Sequence, residues 1–288
     1  MIITVLSKDF VPLRRVVQIT LLSILFVIPI ARAQNFDEKN VRQNNDYVAL
    51  RDRIALEFKN ASPGKFGPFV KGVDEDIKTD KKILALTFDA CGGPHGSGYD
   101  EDLINCLHQE KIPATLFLSG LWIDAHTEIV KSLSKDTLFE IENHGLTHHP
   151  CAVDGETKYG IHGTANVAQA VDEIELNARK IESITLRKPL YYRSATATTD
   201  EACSAIAKLL GETIISYDLL SGDAVADTPM SVIEQNLIKD AKDGAIVIMH
   251  VNHPEWNGYE ALKEALPVWQ RQGYTFVKLE RHPLKGKH

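Results

Sequence analysis

The sequence predicts an α/β fold, an irregular (β/α)7 barrel that does not fully close, and three observations predict it. From Lys82 onward, short β-branched or aromatic runs alternate with helical periodicity, the pattern of repeated β/α units around a parallel sheet. Seven such runs occur. Polar residues stand at the ends of four of them, on the side where the loops of a parallel barrel converge on one mouth.

The elements follow in chain order. An apolar run from Val16 to Ile30 follows Lys8, Arg14 and Arg15 and precedes Ala31-Arg32-Ala33, whose small residues fit signal-peptidase cleavage before Gln34. Residues 1–33 therefore read as a secretory signal. The rival is an uncleaved membrane anchor, opposed by a run short of the roughly 20 residues that span a bilayer. Residues 34–81 form an N-terminal polar segment with one helix and a linker. Within it, residues 34–46 are polar and expected to be mobile, and Leu50, Ile54 and Phe58 recur at helical spacing within Tyr47 to Lys59. Alone such a helix is too short to be stable, so it is expected to pack on the main domain. The turn-rich stretch Ser62 to Pro68 ends it.

The catalytic domain is placed at residues 82–280 and a C-terminal tail at 281–288. Its strand runs are Ile83 to Phe88, Ala114 to Leu118, Thr137 to Glu142, Leu190 to Arg193, Thr213 to Tyr217, Ala245 to Met249 and Tyr274 to Leu279. The clearest helix is Asn166 to Ser183, where Val167, Val171, Ile174, Ala178 and Ile181 trace one apolar stripe.

Composition narrows the function. The chain of 288 residues is 44% hydrophobic and 25% charged, enough for one sizeable core. Loss of residues 1–33 removes four basic residues and one acidic residue, leaving 28 basic against 38 acidic and a net charge of −10. Nucleic acid and anionic lipid need Lys/Arg surfaces and are excluded as partners; a neutral or cationic substrate fits. The expected location is periplasmic or secreted, with no membrane association after cleavage, and no protein partner is evident. Without a CxxC pair among Cys91, Cys106, Cys151 and Cys203, a structural zinc cluster is not expected. Cys91 and Cys151 fall near the same mouth, where they pair, contribute to a metal site or stay inert. Cys106 and Cys203 read as small hydrophobes on helix faces.

The chemistry concentrates at the strand ends. Asp89 follows the first run, His144 follows the third by two residues, Arg193 closes the fourth and His250 follows the sixth. In Asn143-His144-Gly145-Leu146-Thr147-His148, two imidazoles four residues apart would share a side of a helical turn and accept one divalent ion, unless the segment is a solvated loop. Thr87-Phe88-Asp89-Ala90-Cys91-Gly92-Gly93 offers a carboxylate at the end of a buried strand, or alternatively a turn cap. Trp256, in a loop with His253, could stack on a sugar or simply pack. His95, His126 and His162 read as surface residues. The chain lacks G-x-S-x-G, H-E-x-x-H and Walker motifs, which excludes serine esterase, zincin and nucleotide hydrolase chemistry.

These segments, in this order, resemble the polysaccharide deacetylases (the NodB-homology family) from about Lys82 to Leu279. That family carries Thr-Phe-Asp-Asp-Gly in its first motif and His-Ser/Thr-x-x-His in its second. The resemblance implies that Asp89 is the catalytic base and that His144 and His148 hold a divalent metal ion, with zinc the expected species. It further implies that Arg193 orients the base, that His250 of Ile248-Met249-His250 is the general acid, and that Asp223 tunes that acid, with Asp218 as a rival. The implied reaction removes N-acetyl groups from an N-acetylglucosamine-containing polysaccharide, peptidoglycan or a chitin-like glycan, and releases acetate.

This sequence departs from the family at three places. The second Asp of the first motif, a metal ligand, is Ala90; Gly145 replaces a hydroxyl residue; and Ser194-Ala195 follow Arg193. The third ligand is then Asp89, Cys91, Cys151 or water, or the ion is held weakly. A divergent branch with Thr-Phe-Asp-x-Cys-Gly-Gly is similar in the Asn-His-Gly and Arg-Ser segments as well. Two other functions stay open: a catalytically silent glycan-binding barrel, and a metal-independent amidohydrolase acting on a small C–N substrate.

Overall fold

The computed structural model describes residues 36–286; the secretory segment predicted at residues 1–33 lies outside them. Among the described residues, nine strands make one parallel sheet: β1 (Val73–Asp74), β2 (Ile83–Ala90), β3 (Ala114–Leu118), β4 (Phe139–Asn143), β5 (Tyr191–Tyr192), β6 (Thr213–Ile215), β7 (Leu219–Leu220), β8 (Ile246–His250) and β9 (Thr275–Val277). Their spatial order is β7-β8-β2-β3-β4-β5-β6-β1, with β9 against the start of β2. Each of the seven predicted runs supplies one strand of this irregular barrel. The two unforeseen strands, β1 and β7, have two residues each, too few to show a period.

Strand β2 is buried along its whole length and pairs with β3, β8 and β9. Alternation along it explains what each side does. Leu84, Leu86, Phe88 and Ala90 face an outer core with Leu103, Leu107, Leu262 and Trp269. Ile83 and Ala85 face the barrel interior with Ile77, Phe117, Ile215 and Ile246. The same period carries Thr87 and Asp89 to the inner side, where both meet Arg193.

The leading segment is fastened rather than mobile. A short helix, Glu38–Gln43, is capped by the side chain of Asp37 in the stretch expected to be mobile. It and the next helix, Asn45–Glu57, converge on Asp172 of the helix Val167–Thr185. Arg42 and Arg51 each lie 2.7 Å from that carboxylate, and the Tyr47 hydroxyl donates to it. Farther on, Phe66–Gly67 pairs with Thr199–Asp200, and Asp76–Ile77 pairs with Leu284–Lys285 of the tail. No helix among the described residues is long and apolar enough to cross a membrane.

Cys151 and Cys203 form a disulfide, which corrects the reading of Cys203 as a lone hydrophobe and removes a Cys91–Cys151 pair. Asp200 explains why these two meet. Its Oδ1 accepts from the Cys203 amide at 2.6 Å, capping the helix Glu201–Leu210, while Oδ2 accepts from the Val153 amide at 2.7 Å. One carboxylate thus binds both cysteine-bearing segments. Cys91 and Cys106 are free thiols; the first is buried, the second lies half-buried on its helix.

Candidate active site

At the mouth, Arg193 organises the carboxylate. Its Nη1 donates to Asp89 Oδ1 and Thr87 Oγ1, both at 2.8 Å, and its Nη2 donates to the Ser216 carbonyl at 2.8 Å. The guanidinium is fully buried, with its central carbon 4.2 Å from the Phe117 ring centroid. A buried cation in this setting is tolerated only because it is paired and hydrogen-bonded. Arg193 also works through its backbone: its carbonyl accepts from His144 Nδ1 at 2.8 Å. That bond fixes the imidazole tautomer and leaves His144 Nε2 facing Asp89 Oδ2, 3.8 Å away.

The segment carrying the two histidines is not the helical turn expected of it. Gly145 and His148 both have positive φ, 86° and 60°, and the chain wraps instead around Glu173. That carboxylate accepts from the Thr147 amide, the Thr147 hydroxyl and the His149 amide. A Cβ on residue 145 would collide with Glu173, which accounts for glycine where the related motif has a hydroxyl residue. The turn still brings the imidazoles of His144 and His148 together, with ring centroids 4.9 Å apart.

Cys91 completes this cluster. Gly92, with φ 76°, turns the chain out of β2, and the Cys91 carbonyl accepts from the Ser119 hydroxyl at 2.5 Å. Its Sγ lies 3.9 Å from His144 Nε2, and one potential ligand atom from each of Cys91, His144 and His148 falls within 4.8 Å of the others, all three side chains being buried. Burial pushes the thiol up, but the surrounding imidazoles of His148, His144 and His250 outweigh it and hold Cys91 well below its ordinary range. His144 is raised: burial opposes its charge, while Asp89 and Cys91 favour it. His148 Nδ1 is buried and has no hydrogen-bond partner in the protein.

His250 ends β8 directly beside Asp89 in register. Asp223 holds it twice, Oδ1 on the ring Nδ1 at 2.8 Å and Oδ2 on the backbone amide at 2.8 Å. Burial lowers the imidazole, yet Asp223 wins and raises it well above the ordinary value. Asp218 instead pairs with Lys242 at 2.8 Å, so Asp223 is the residue on His250.

The structure therefore brings Asp89, His144, His148, Arg193, Asp223 and His250 to one mouth, and adds His95. That residue, read from sequence as a surface histidine, lies with its ring centroid 4.8 Å from that of His148; the Gly92–Gly93 turn before it was the only hint. His126 packs on Trp122, and His162 is exposed on a separate hairpin. Trp256 has one face covered by His253 at 3.4 Å, so packing accounts for that face.

The sequence profile for "Polysaccharide deacetylase" matches residues 76–215. Over these residues, a little under half of the 288, the chain resembles the polysaccharide deacetylase family. A peptidoglycan-N-acetylglucosamine deacetylase of Bacillus cereus is 26% identical over 215 residues, 74% of this chain and 93% of that protein. The structure of a peptidoglycan N-acetylglucosamine deacetylase aligns with a TM-score of 0.60 at 20% identity, over 72% of this chain and 91% of that one. A CE4 family pseudoenzyme from Bacillus anthracis aligns with a TM-score of 0.57 at 23% identity, over 69% of this chain and 64% of that one. These likenesses give the deacetylase barrel its fold neighbours.

Proposed function

We propose that the protein is an exported, metal-dependent N-deacetylase of N-acetylglucosamine-containing polysaccharide, with peptidoglycan as the substrate. The carrying observation is that two charge pairs, Asp89–Arg193 and Asp223–His250, converge on the His144–His148–Cys91 cluster. His144 and His148 would hold the ion: both are buried, the first presents Nε2, and the second has a buried nitrogen that no protein group satisfies. A divalent ion at such a site supplies Lewis-acid polarisation and a more acidic water; the donors suit zinc.

The protein's own residues do the rest. Asp89 Oδ2, the oxygen not gripped by Arg193, accepts the proton of the attacking water. Arg193 keeps the carboxylate in place through four acceptors that cannot shift without unburying a cation. His250 spends Nδ1 on Asp223, so Nε2 carries the proton delivered to the departing nitrogen. Water adds across the amide, acetate leaves, and a free amino sugar remains.

One aromatic pair would offer a sugar ring a face. Tyr217 follows Ser216, whose carbonyl holds Arg193, and packs edge-on against Phe69 at 5.3 Å; Phe69 is 43% exposed. The acidic balance of the chain keeps nucleic acid away. Ala90, in place of a ligating Asp, favours a second reading, a glycan-binding barrel without catalysis. Both proton-handling pairs being intact speaks against it. Acetate release from N-acetylglucosamine oligomers and from peptidoglycan, with and without chelator, decides: release lost on chelation is expected, glycan binding without release selects the silent barrel, and undiminished release with chelator selects metal-free hydrolysis. N-terminal sequencing of the exported protein is expected to begin at Gln34.

A further inference from the structure

We infer that Cys91, as a thiolate, is the third protein ligand of this ion, replacing the carboxylate that Ala90 cannot supply; the inference rests on the metal-dependent reading above. Ala90 offers only a methyl group, and that group lies in the outer core with Leu118 and Trp122. Cys151, the other cysteine near the mouth, is consumed by its disulfide with Cys203. Asp89 spends Oδ1 on Arg193, and although its Oδ2 lies 3.8 Å from His144 Nε2, Asp89 falls outside the set of mutually close donors. Cys91 is left, a free, buried thiol whose sulfur is 3.9 Å from His144 Nε2.

The distances suit a shared ion. Donors at zinc–nitrogen and zinc–sulfur bond lengths on a tetrahedral centre stand about 3.3–3.8 Å from one another. The three donors here lie within 4.8 Å, so side-chain movements of about an ångström close the set. The buried, unpartnered His148 Nδ1 is a second and independent sign that this pocket is built around something other than protein. Charge is conserved as well, because one thiolate replaces one carboxylate. On binding, the S–H bond breaks, its electron pair forms the S–metal bond and the proton leaves to solvent. A sulfur donor also changes which ion is preferred, favouring zinc and cobalt(II) over magnesium and manganese.

Cobalt(II)-loaded protein tests the assignment spectroscopically. Wild type is expected to show an intense near-ultraviolet sulfur-to-cobalt charge-transfer band. In Cys91→Ser the band is expected to vanish while zinc affinity falls by more than about 10-fold; in Cys91→Asp zinc is retained without the band. A wild-type protein that binds one cobalt(II) with no such band overturns Cys91 as a ligand and leaves the metal-dependent deacetylase intact. A wild-type protein that binds no divalent ion yet releases acetate overturns both. The decisive spectrum is that of wild type, so it does not depend on either variant folding.

Discussion

Two buried carboxylates, Asp89 at the mouth and Glu212 on the flank, differ in how far the protein has already used their oxygens. Both are almost wholly inaccessible. Glu212 has both oxygens occupied by the Asn143 amide, at 3.2 and 3.0 Å, and burial holds its carboxyl well above the ordinary range. Asp89 has one oxygen gripped by Arg193 and the other directed at His144 Nε2. At Glu173 and Asp200, too, carboxylate oxygens are used up, there in tying backbone segments together. At the mouth, polar atoms are held in place on one side and left unused on the other. Burial alone therefore does not mark catalysis; an unspent atom on a fixed group does.

The strongest way to break this contrast is to neutralise each carboxylate in turn. Asp89→Asn is expected to lower kcat for acetate release by about 10²- to 10⁴-fold, and His250→Ala by a similar factor, because each removes a proton-transfer partner. Glu212→Gln, equally buried, is expected to leave kcat within about 2-fold, since its oxygens serve only Asn143. Equal losses at positions 89 and 212, measured with the same oligosaccharide, would dissolve the distinction.

Reduction of the flank sharpens it from the other side. Cys151→Ser or Cys203→Ser is expected to cost about 2–4 kcal/mol of stability by freeing the 52-residue separation that the disulfide closes. Bound metal per folded molecule should not change, because neither sulfur belongs to the cluster. Denaturant midpoints together with metal analysis read the two effects separately.

The comparison also explains what was legible in the sequence. Strand ends announced Asp89, His144, Arg193 and His250, because a parallel barrel must deliver those positions to one face. Regular elements were legible for the same reason: β2 and the helix Val167–Thr185 carry enough residues to display a period. The two-residue strands β1 and β7 carry too few. The loops stayed hidden because side chains distant in sequence shape them. Glu173 turns the His144–His148 segment away from a helical path, and Asp200 joins Cys151 to Cys203. In sequence Cys91 is one of several candidate ligands; the Cys151–Cys203 bond and the close approach of its sulfur to His144 set it apart.

A smaller effect lies in how the acid at the mouth titrates. In the proposed reaction His250 works in its protonated form, and Asp223 raises it well above the ordinary imidazole value. Activity should persist to higher pH than an unpaired histidine allows, falling only as pH rises through the raised value. Asp223→Asn withdraws the charge, so the alkaline limb of kcat is expected to move to lower pH, with a drop in kcat because the ring is no longer held at Nδ1. A pH–rate profile whose alkaline limb is unmoved by Asp223→Asn would remove His250 from the role of acid.

The least of the expected effects concerns Glu212 itself and is read in stability. Its folded-state pKa lies well above the reference 4.5, mainly through burial, so the folded protein holds the proton more tightly than the unfolded chain does. The resulting contribution is fully present below the unfolded pKa and is lost as pH rises through the folded one. Glu142, buried and likewise raised, adds the same sign, so Glu212 accounts for part of the slope. Glu212→Gln keeps the shape and one amide acceptor but cannot ionise. The urea midpoint of wild type is therefore expected to fall between mildly acidic and alkaline buffer, and that of the variant to fall less. An unchanged slope would mean that Glu212 stays ionised in the folded state, and that the flank, like the mouth, keeps a buried charge.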